Sequence, residues 1–419
     1  MIDKSDPRRA PISLKKNMLW NSAGSFANMV CAWLITVLVL RLSTGYDAAG
    51  VYSYIMSVYA IFSSVVDYRI YVYQISDLHG ENTLGEYFTL RCITGTLGLA
   101  LVMVYSVLTG PFELLPTIFF YSLYKIASVL LDAFHASEQI YRRMDYIGMS
   151  YALQGVVSFA VFGVVFGVTQ DLTLTMAVLF LATVAIGFFY DFPRIHFFSE
   201  FHFGISRQKT WRLLKTCAPA VIAFVAISGS TSVPRQYLMK VMGESALGAY
   251  GTMAAPIAIV QTGASYIYNP LLTYFNEAYD QRNGARFLKM MMMTAFAIAT
   301  LGIVCIIGVK LLGGPVYSLI YGQRVLEYLY LLPPLVVSAL CIAFMGFVNN
   351  LVTVLHNFKA TFTGGLTALS ISLIIMIPMI NHFELNGVTY TTLISALGAS
   401  LVMFLLVKKQ LDSQFAASE

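Results

Sequence analysis

Charge is what this sequence has least of. Asp, Glu, Lys and Arg make up 11% of its 419 residues, against ~25% in a typical soluble domain. No polar stretch approaches the ~50 residues that a separate soluble domain needs. These shortages exclude a soluble globular enzyme, a disordered chain and a fibre. Cysteine is sparse as well. Cys31, Cys92, Cys217, Cys305 and Cys341 are odd in number, have no CxxC spacing and fall in or beside apolar segments. That pattern argues against a disulfide framework and against a zinc site. The signatures GxxxxGK[ST], HExxH, GxSxG and DxD do not occur, and His196 and His202 lack an i,i+4 metal spacing. Neither a P-loop nor a histidine metal site is therefore expected. The composition calls for no cofactor, no metal, no nucleic-acid partner and no enzymatic activity.

What is abundant is apolar sequence. AVILMFWYC residues account for 58% of the chain, and the mean hydropathy is +0.72. A spanning helix needs about 20 such residues, so with connections each span takes ~30–35. Apolar runs separated by polar breaks fall at 17–41, 48–67, 86–109, 114–133, 146–168, 173–193, 214–240, 247–275, 286–312, 324–350, 361–381 and 387–407. Runs of this length are helices, because barrel strands need only ~9–11 alternating residues. The fold class expected is an all-α polytopic membrane protein of about twelve transmembrane helices. The apolar run after MIDKSDPRRAPISLKK is too long for a signal h-region and reads as the first permanent span.

The basic residues are distributed unevenly. Twenty of the 26 Lys and Arg residues fall in one alternate set of breaks, from Lys4, Arg8 and Arg9 to Lys408 and Lys409; four, Arg41, Lys240, Lys310 and Arg324, fall in the other. The positive-inside rule then puts both termini in the cytoplasm. The longest internal break, 194–215 (RIHFFSEFHFGISRQKTWRLLK), mixes aromatics with bases and reads both as a linker between halves and as a segment lying on the membrane surface. The halves carry weak internal similarity. AGVYSYIMSVYAI from Ala49 and LGAYGTMAAPIAI from Leu247 share Gly, Tyr, Ala and Ile, and 76–88 and 275–287 share Gly and Phe. The expected organisation is an N-terminal six-helix lobe at 1–193, the linker at 194–215 and a C-terminal six-helix lobe at 216–419. Repeats of six spans share one orientation, related by an axis along the membrane normal.

Two basic residues lie inside spans. A charge at membrane depth costs at least ~2.5–3.5 kcal/mol, so it faces a partner or a watery cavity. Lys125 is about ten residues from either end of the fourth span, ~15 Å deep. It belongs to a stripe, Tyr121, Lys125, Ser128, Asp132, His135 and Gln139, at spacings of 3 and 4 that line one helical face toward water. The competing role is a Lys125–Asp132 packing pair. Arg235 follows Pro234, which is expected to disrupt the seventh span. It either holds an anionic group at that break or reaches the outer interface. Asn17, Asn21, Ser25 and Asn28 line the first span; Gln261, Ser265, Asn269, Thr273 and Asn276 line the eighth. Any one stripe fits interhelical packing, but several in both halves favour a shared central cavity. Amides and hydroxyls suit sugar hydroxyls, and Lys and Arg suit phosphate.

Taken in order, Lys16-Asn17, Trp20-Asn21-Ser22-Ala23-Gly24-Ser25, Ala49-Gly50-Val51, Tyr68-Arg69-Ile70-Tyr71, Tyr124-Lys125, Asp132-Ala133-Phe134-His135, Arg143-Met144-Asp145-Tyr146 and Ser232-Val233-Pro234-Arg235-Gln236-Tyr237 resemble bacterial polysaccharide flippases. These O-antigen and capsule oligosaccharide-lipid translocases belong to the multidrug/oligosaccharidyl-lipid/polysaccharide exporter superfamily, with the multidrug and toxic-compound extrusion transporters. The match is best over the first 290 residues, and Gln236 stands where an aromatic is expected. The resemblance implies two six-helix bundles around a central cavity that opens alternately inward and outward. The implied substrate is an undecaprenyl-pyrophosphate-linked oligosaccharide, moved from the inner to the outer leaflet of the bacterial cytoplasmic membrane for surface polysaccharide assembly.

Arg69, Lys125 and Arg235 are the matched cations for substrate binding, joined by Asn21, Asn28, Gln261 and Asn269 from the polar faces. Asp67, Asp132 and His135 are candidates for coupling to an H+ or Na+ gradient, or else balance nearby Lys and Arg. The alternative function is an ion-coupled drug antiporter on the same fold, which would prefer an acidic, aromatic cavity. A membrane enzyme acting on lipid-linked sugars would need a sizeable loop or paired catalytic acids. A structural or signalling membrane protein is the weakest option.

Overall fold

The computed structural model describes residues 10–77, 80–198, 201–355 and 357–416. Lys4, Arg8 and Arg9 of the charge pattern, Leu78 and His79 of the repeat match, and Ser199 and Glu200 of the middle break lie outside them. The described residues form helices and no strand. Eleven of the helical stretches are long and apolar enough to cross a bilayer. One of these, residues 207–280, has 74 residues. At 1.5 Å per residue it would measure about 110 Å, more than twice a bilayer. It breaks at Gly243, where φ is 86° and ψ 178°. It therefore holds two crossings, and the number of crossings is the twelve expected. The outward faces are greasy, with Leu108, Val168, Leu319 and Ile374 all more than 70% exposed. Apolar side chains turned outward, over helices whose backbone groups bond internally, suit a lipid surroundings.

The chain divides into two compact units. One holds residues up to Thr44 and Val58–Val221; the other holds Gly45–Ser57 and the residues from Ile222 onward. The first unit contains α1 (Leu14–Leu42), the second half of α2 (Asp47–Asp67), α3 (Ile70–Ser76), α4 (Leu84–Thr109), α5 (Leu115–Ile140), α6 (Met144–Thr169), α7 (Leu172–Ile186), α8 (Phe192–Phe198) and the start of α9 (Arg207–Ala254). Local chemistry fixes the helix ends. Thr83 and Glu86 form a reciprocal capping box at the start of α4, and Asp171 accepts from the amides of Thr173 and Leu174 at the start of α7. Each satisfies amides that a helix leaves unpaired. Between α2 and α3 the chain turns through Tyr68 and Arg69, with φ of 48° and 59°.

The loop after α3 is tied by Asp77. Burial opposes its charged form, but donors outweigh it: the amides of Glu81 and Asn82 at 2.9 and 3.0 Å and the Tyr87 hydroxyl at 2.8 Å. The carboxyl is held below the usual range. Its contribution to this turn is present above the unfolded-chain value and is lost as pH falls through the lowered one.

Helices α1 and α6 meet at glycines. A Cβ on Gly148 would lie 2.2 Å from the carbonyl oxygen of Trp20, and one on Gly155 would lie 2.8 Å from Cα of Asn28. Small residues at such crossings allow backbones to approach closely where no water is present to drive association. Between α7 and α8 the helix widens into a π turn, Gly187–Asp191, whose last side chain is fully buried.

The middle break is folded against the first unit rather than lying wholly on a surface. Phe201 packs on Phe88, Phe134 and Phe192. The Gly204 amide donates to Thr89 Oγ1 at 2.9 Å, and Lys209 pairs with Glu86 at 2.8 Å. The mixed aromatic-and-basic pattern has two faces, one of which is docked.

The second unit contains the rest of α9 (Arg207–Ala254), α10 (Ala258–Tyr268), α11 (Leu272–Asp280), α12 (Gly284–Tyr321), α13 (Leu332–Val354), α14 (Phe358–Phe383) and α15 (Leu385–Ala416). Its core runs from Tyr268, Phe275 and Phe287 through Phe347 to Met403. Pro234 does not break α9, contrary to the expectation from sequence; the break is at Gly243. Proline frees the carbonyl four residues back, that of Ser230. Ser372 of α14 donates to that carbonyl at 2.8 Å in a buried site, so the helix continues. The two repeat glycines also meet here. A Cβ on Gly50 would strike the Glu244 carbonyl, and one on Gly248 would strike the Tyr46 carbonyl, both at 2.0 Å. Each partner lies four residues before the other glycine.

Candidate functional site

A cavity of about 290 Å³ opens between α1, α5 and α6 of the first unit. Ser25, Asn28, Met29, Ala32, Tyr124, Lys125, Ser128, Tyr151 and Gln154 line it. Lys125 is the one formal charge in this lining. Its ammonium stands 4.9 Å from the Tyr124 ring centre and 5.7 Å from that of Tyr121. Aromatic faces stabilise a cation without neutralising it, so the charge stays available to an anion. The ion pairs of the described residues do not join Lys125 to Asp132; the carboxylate has other partners.

Beneath the cavity runs a buried polar chain. Ser128 Oγ donates to Gln154 Oε1 at 2.8 Å, Gln154 Nε2 to Ser150 Oγ at 3.2 Å, and Ser150 Oγ to Asp191 Oδ2 at 3.1 Å. His135 Nε2 lies 3.3 Å from Asp191 Oδ1, and its Nδ1 lies 3.3 Å from Asp132 Oδ1. Tyr151, back at the cavity wall, donates to Asp132 Oδ1 at 3.1 Å. The path therefore begins and ends at the cavity. His135 and Asp191 are inaccessible. The α5 stripe thus does not face water along its whole length. Lys125 and Ser128 do, whereas Tyr121 and His135 are buried and Gln139 accepts from Tyr71.

Three further charges sit near this chain. Arg91 is completely buried; it donates to the Val129 carbonyl at 2.8 Å and lies 3.9 Å from Asp67. Its Nε and Nη2 have no partner among the described residues. Asp67 keeps 42% of its side chain exposed. Glu138 is buried with Oε2 unpartnered among the described residues. Arg69 is held in the turn between α2 and α3, where its amide donates to Asp67 Oδ2, and it is not part of the cavity wall. Asn21 lies at the α1–α6 crossing, one turn from Ser25. Asn17, by contrast, serves the fold: it bonds the carbonyls of Ile12 and Arg142 and the amide of Met144.

In the second unit, Arg235 places its guanidinium carbon 5.9 Å from the Tyr250 ring centre. Its Nε is buried and unpartnered among the described residues. Gln261 is half-buried on α10. Asn269 is exposed and accepts from Asn350 at 3.4 Å.

Sequence reasoning missed Asp191, Arg91 and Glu138, and on α6 Ser150, Tyr151 and Gln154. The α6 residues had a signal: Ser150, Gln154 and Ser158 recur every fourth position in an apolar span. Arg91 and Glu138 lie close enough to span ends to pass for interfacial charges.

The architecture has close parallels among solved structures. A multidrug resistance MATE family transporter of the MOP superfamily, in an inward-facing conformation, superposes with a TM-score of 0.69 at 12% identity, covering 94% of this chain and 96% of that one. The chain has the fold of the MOP superfamily. The lipid II flippase MurJ, in its inward closed conformation, gives the same TM-score at 12% identity over 93% and 87% of the two chains. A MOP transporter from Pyrococcus furiosus gives 0.60 at 13% identity, covering 99% of each chain. In sequence, a capsular polysaccharide biosynthesis protein of Staphylococcus aureus, CapF, is 22% identical over 399 residues, 94% of this chain and 99% of that protein. No family model matches the chain. The MOP fold and this relative agree with the flippase resemblance read from the sequence.

Proposed function

We propose that this membrane transporter flips an anionic lipid-linked oligosaccharide, with undecaprenyl pyrophosphate as the lipid carrier, from the inner to the outer leaflet of a bacterial plasma membrane. One observation carries the reading: the cavity of the first unit has a single charge, the positive Lys125, among amides and hydroxyls. Lys125 meets phosphate oxygen, and Ser25 and Asn28 replace the water that sugar hydroxyls lose on leaving solution. In the second unit, Arg235, whose Nε has no partner among the described residues, is the candidate cation, and Gln261 and Asn269 are that unit's neutral groups. The prenyl tail stays in lipid, and alternating access carries the head across. The overall similarity to CapF and to the MurJ fold supports this substrate class.

Translocation needs no covalent chemistry, so direction comes from an ion gradient or from consumption of the product. The His135 cluster suits a proton. A ring that donates from both nitrogens satisfies both carboxylates, and losing one proton turns a lone pair toward an acid. That change reaches the cavity through Tyr151 and Gln154. A drug antiporter is the alternative at the level of the fold, but an organic cation would meet Lys125 rather than an acid in this cavity. The test is reconstitution in liposomes with labelled lipid-linked oligosaccharide placed in one leaflet. Transfer of the label to the other leaflet is expected. Unchanged leaflet accessibility together with uptake of an organic cation would overturn the proposal.

A further inference from the structure

We propose that the foot of α9 is a docking surface for the phosphate headgroups of anionic phospholipid. This helix begins at Arg207, yet its apolar run begins only at 214. The intervening turns cover about 12 Å, comparable to the headgroup layer beside a ~30 Å hydrocarbon core. Arg207, Trp211 and Lys215 fall four residues apart on one face, and all three are exposed. Trp211 is 69% exposed and Phe203, just before the helix, 67%. The other face is engaged: Leu213 is buried, Lys209 pairs with Glu86, and the Leu214 carbonyl accepts from the Tyr68 hydroxyl.

The foot is thus fixed in place with a large indole turned outward between two cations. Among the described residues neither Arg207 nor Lys215 has an ion pair, whereas Arg212 is held by Glu81 at 3.3 Å. An indole settles at the headgroup level, and a neighbouring cation is attracted to an anionic leaflet. A zwitterionic headgroup offers no such net attraction. The charge complementarity selects anionic lipid as the occupant.

The chain has three tryptophans, so replacing Trp20 and Trp33 by Phe leaves Trp211 as the only indole. The full-length protein is placed in bilayers containing either brominated phosphatidylglycerol or brominated phosphatidylcholine at equal mole fraction. Preferential quenching of Trp211 by the anionic lipid is expected, by about fivefold in apparent affinity for each unpaired cation. The preference disappears in Arg207→Gln/Lys215→Gln and survives in Arg207→Lys/Lys215→Arg, which separates charge from folding. Equal quenching by both lipids in the unaltered foot overturns the proposal. So does quenching by neither, which would mean that protein covers the foot. Neither outcome bears on whether the cavity carries a glycolipid.

Discussion

At the scale of single residues, the decisive question is which charges stay available. Lys125 faces two rings and a cavity, while Arg91 faces protein on every side. A hydrogen bond to a charged group is worth about 1.5–3 kcal/mol, which corresponds to about ten- to a hundredfold in rate if it is made in the rate-limiting state. Lys125→Ala should therefore lower oligosaccharide-lipid flipping by at least about tenfold, with Lys125→Arg retaining most of it. The reconstituted assay measures this, and unchanged insertion and melting exclude a folding defect. Full activity in Lys125→Ala would remove this residue from the site. Lys125 was legible in the sequence because a lone cation in mid-span has no interfacial explanation. Arg91 was not, because an arginine near a span end ordinarily reaches out to water; only packing reveals that it does not.

At the scale of elements, close approach is set by what is missing from side chains. The backbone of α1 occupies the space that a Cβ on Gly148 would need. Overpacking of this kind costs about 1–3 kcal/mol. Gly148→Ala should lower the melting temperature in detergent. Gly308→Ala on α12 is the matched comparison, since nothing lies within 4 Å of its new carbon. Alanine is also the better helix former, by up to about 1 kcal/mol, so its melting temperature should hold or rise. Equal melting of the two variants would show that α1 and α6 do not meet at Gly148. The sequence marked the helices well, because hydrophobic run length is a local quantity. It misplaced the break in α9, because a proline's effect depends on whether a distant residue, here Ser372, takes up the freed carbonyl.

At the scale of the whole molecule, the number of crossings decides more than the helix boundaries do. Twelve crossings would put both ends of the chain on one side, and the excess of Lys and Arg in alternate loops predicts that this side is the cytoplasm. Among the described residues, Arg142, Arg282, Arg286 and Lys289 fall at or near one set of helix ends, and Arg41 and Arg324 at the other, while Lys310 lies inside α12. Parallel repeats of six crossings each keep one orientation, whereas an odd number would invert the second half. A C-terminal fluorescent protein that matures only in the cytoplasm should therefore glow, and alkaline phosphatase at the same position should be inactive. The reverse result would require either a lost crossing within 207–280, the stretch that holds two, or an inverted chain. A phosphatase fused after Arg41, upstream of that stretch, separates these cases. It should be active if the orientation stands, whether or not a crossing is lost downstream, and silent if the whole chain is inverted.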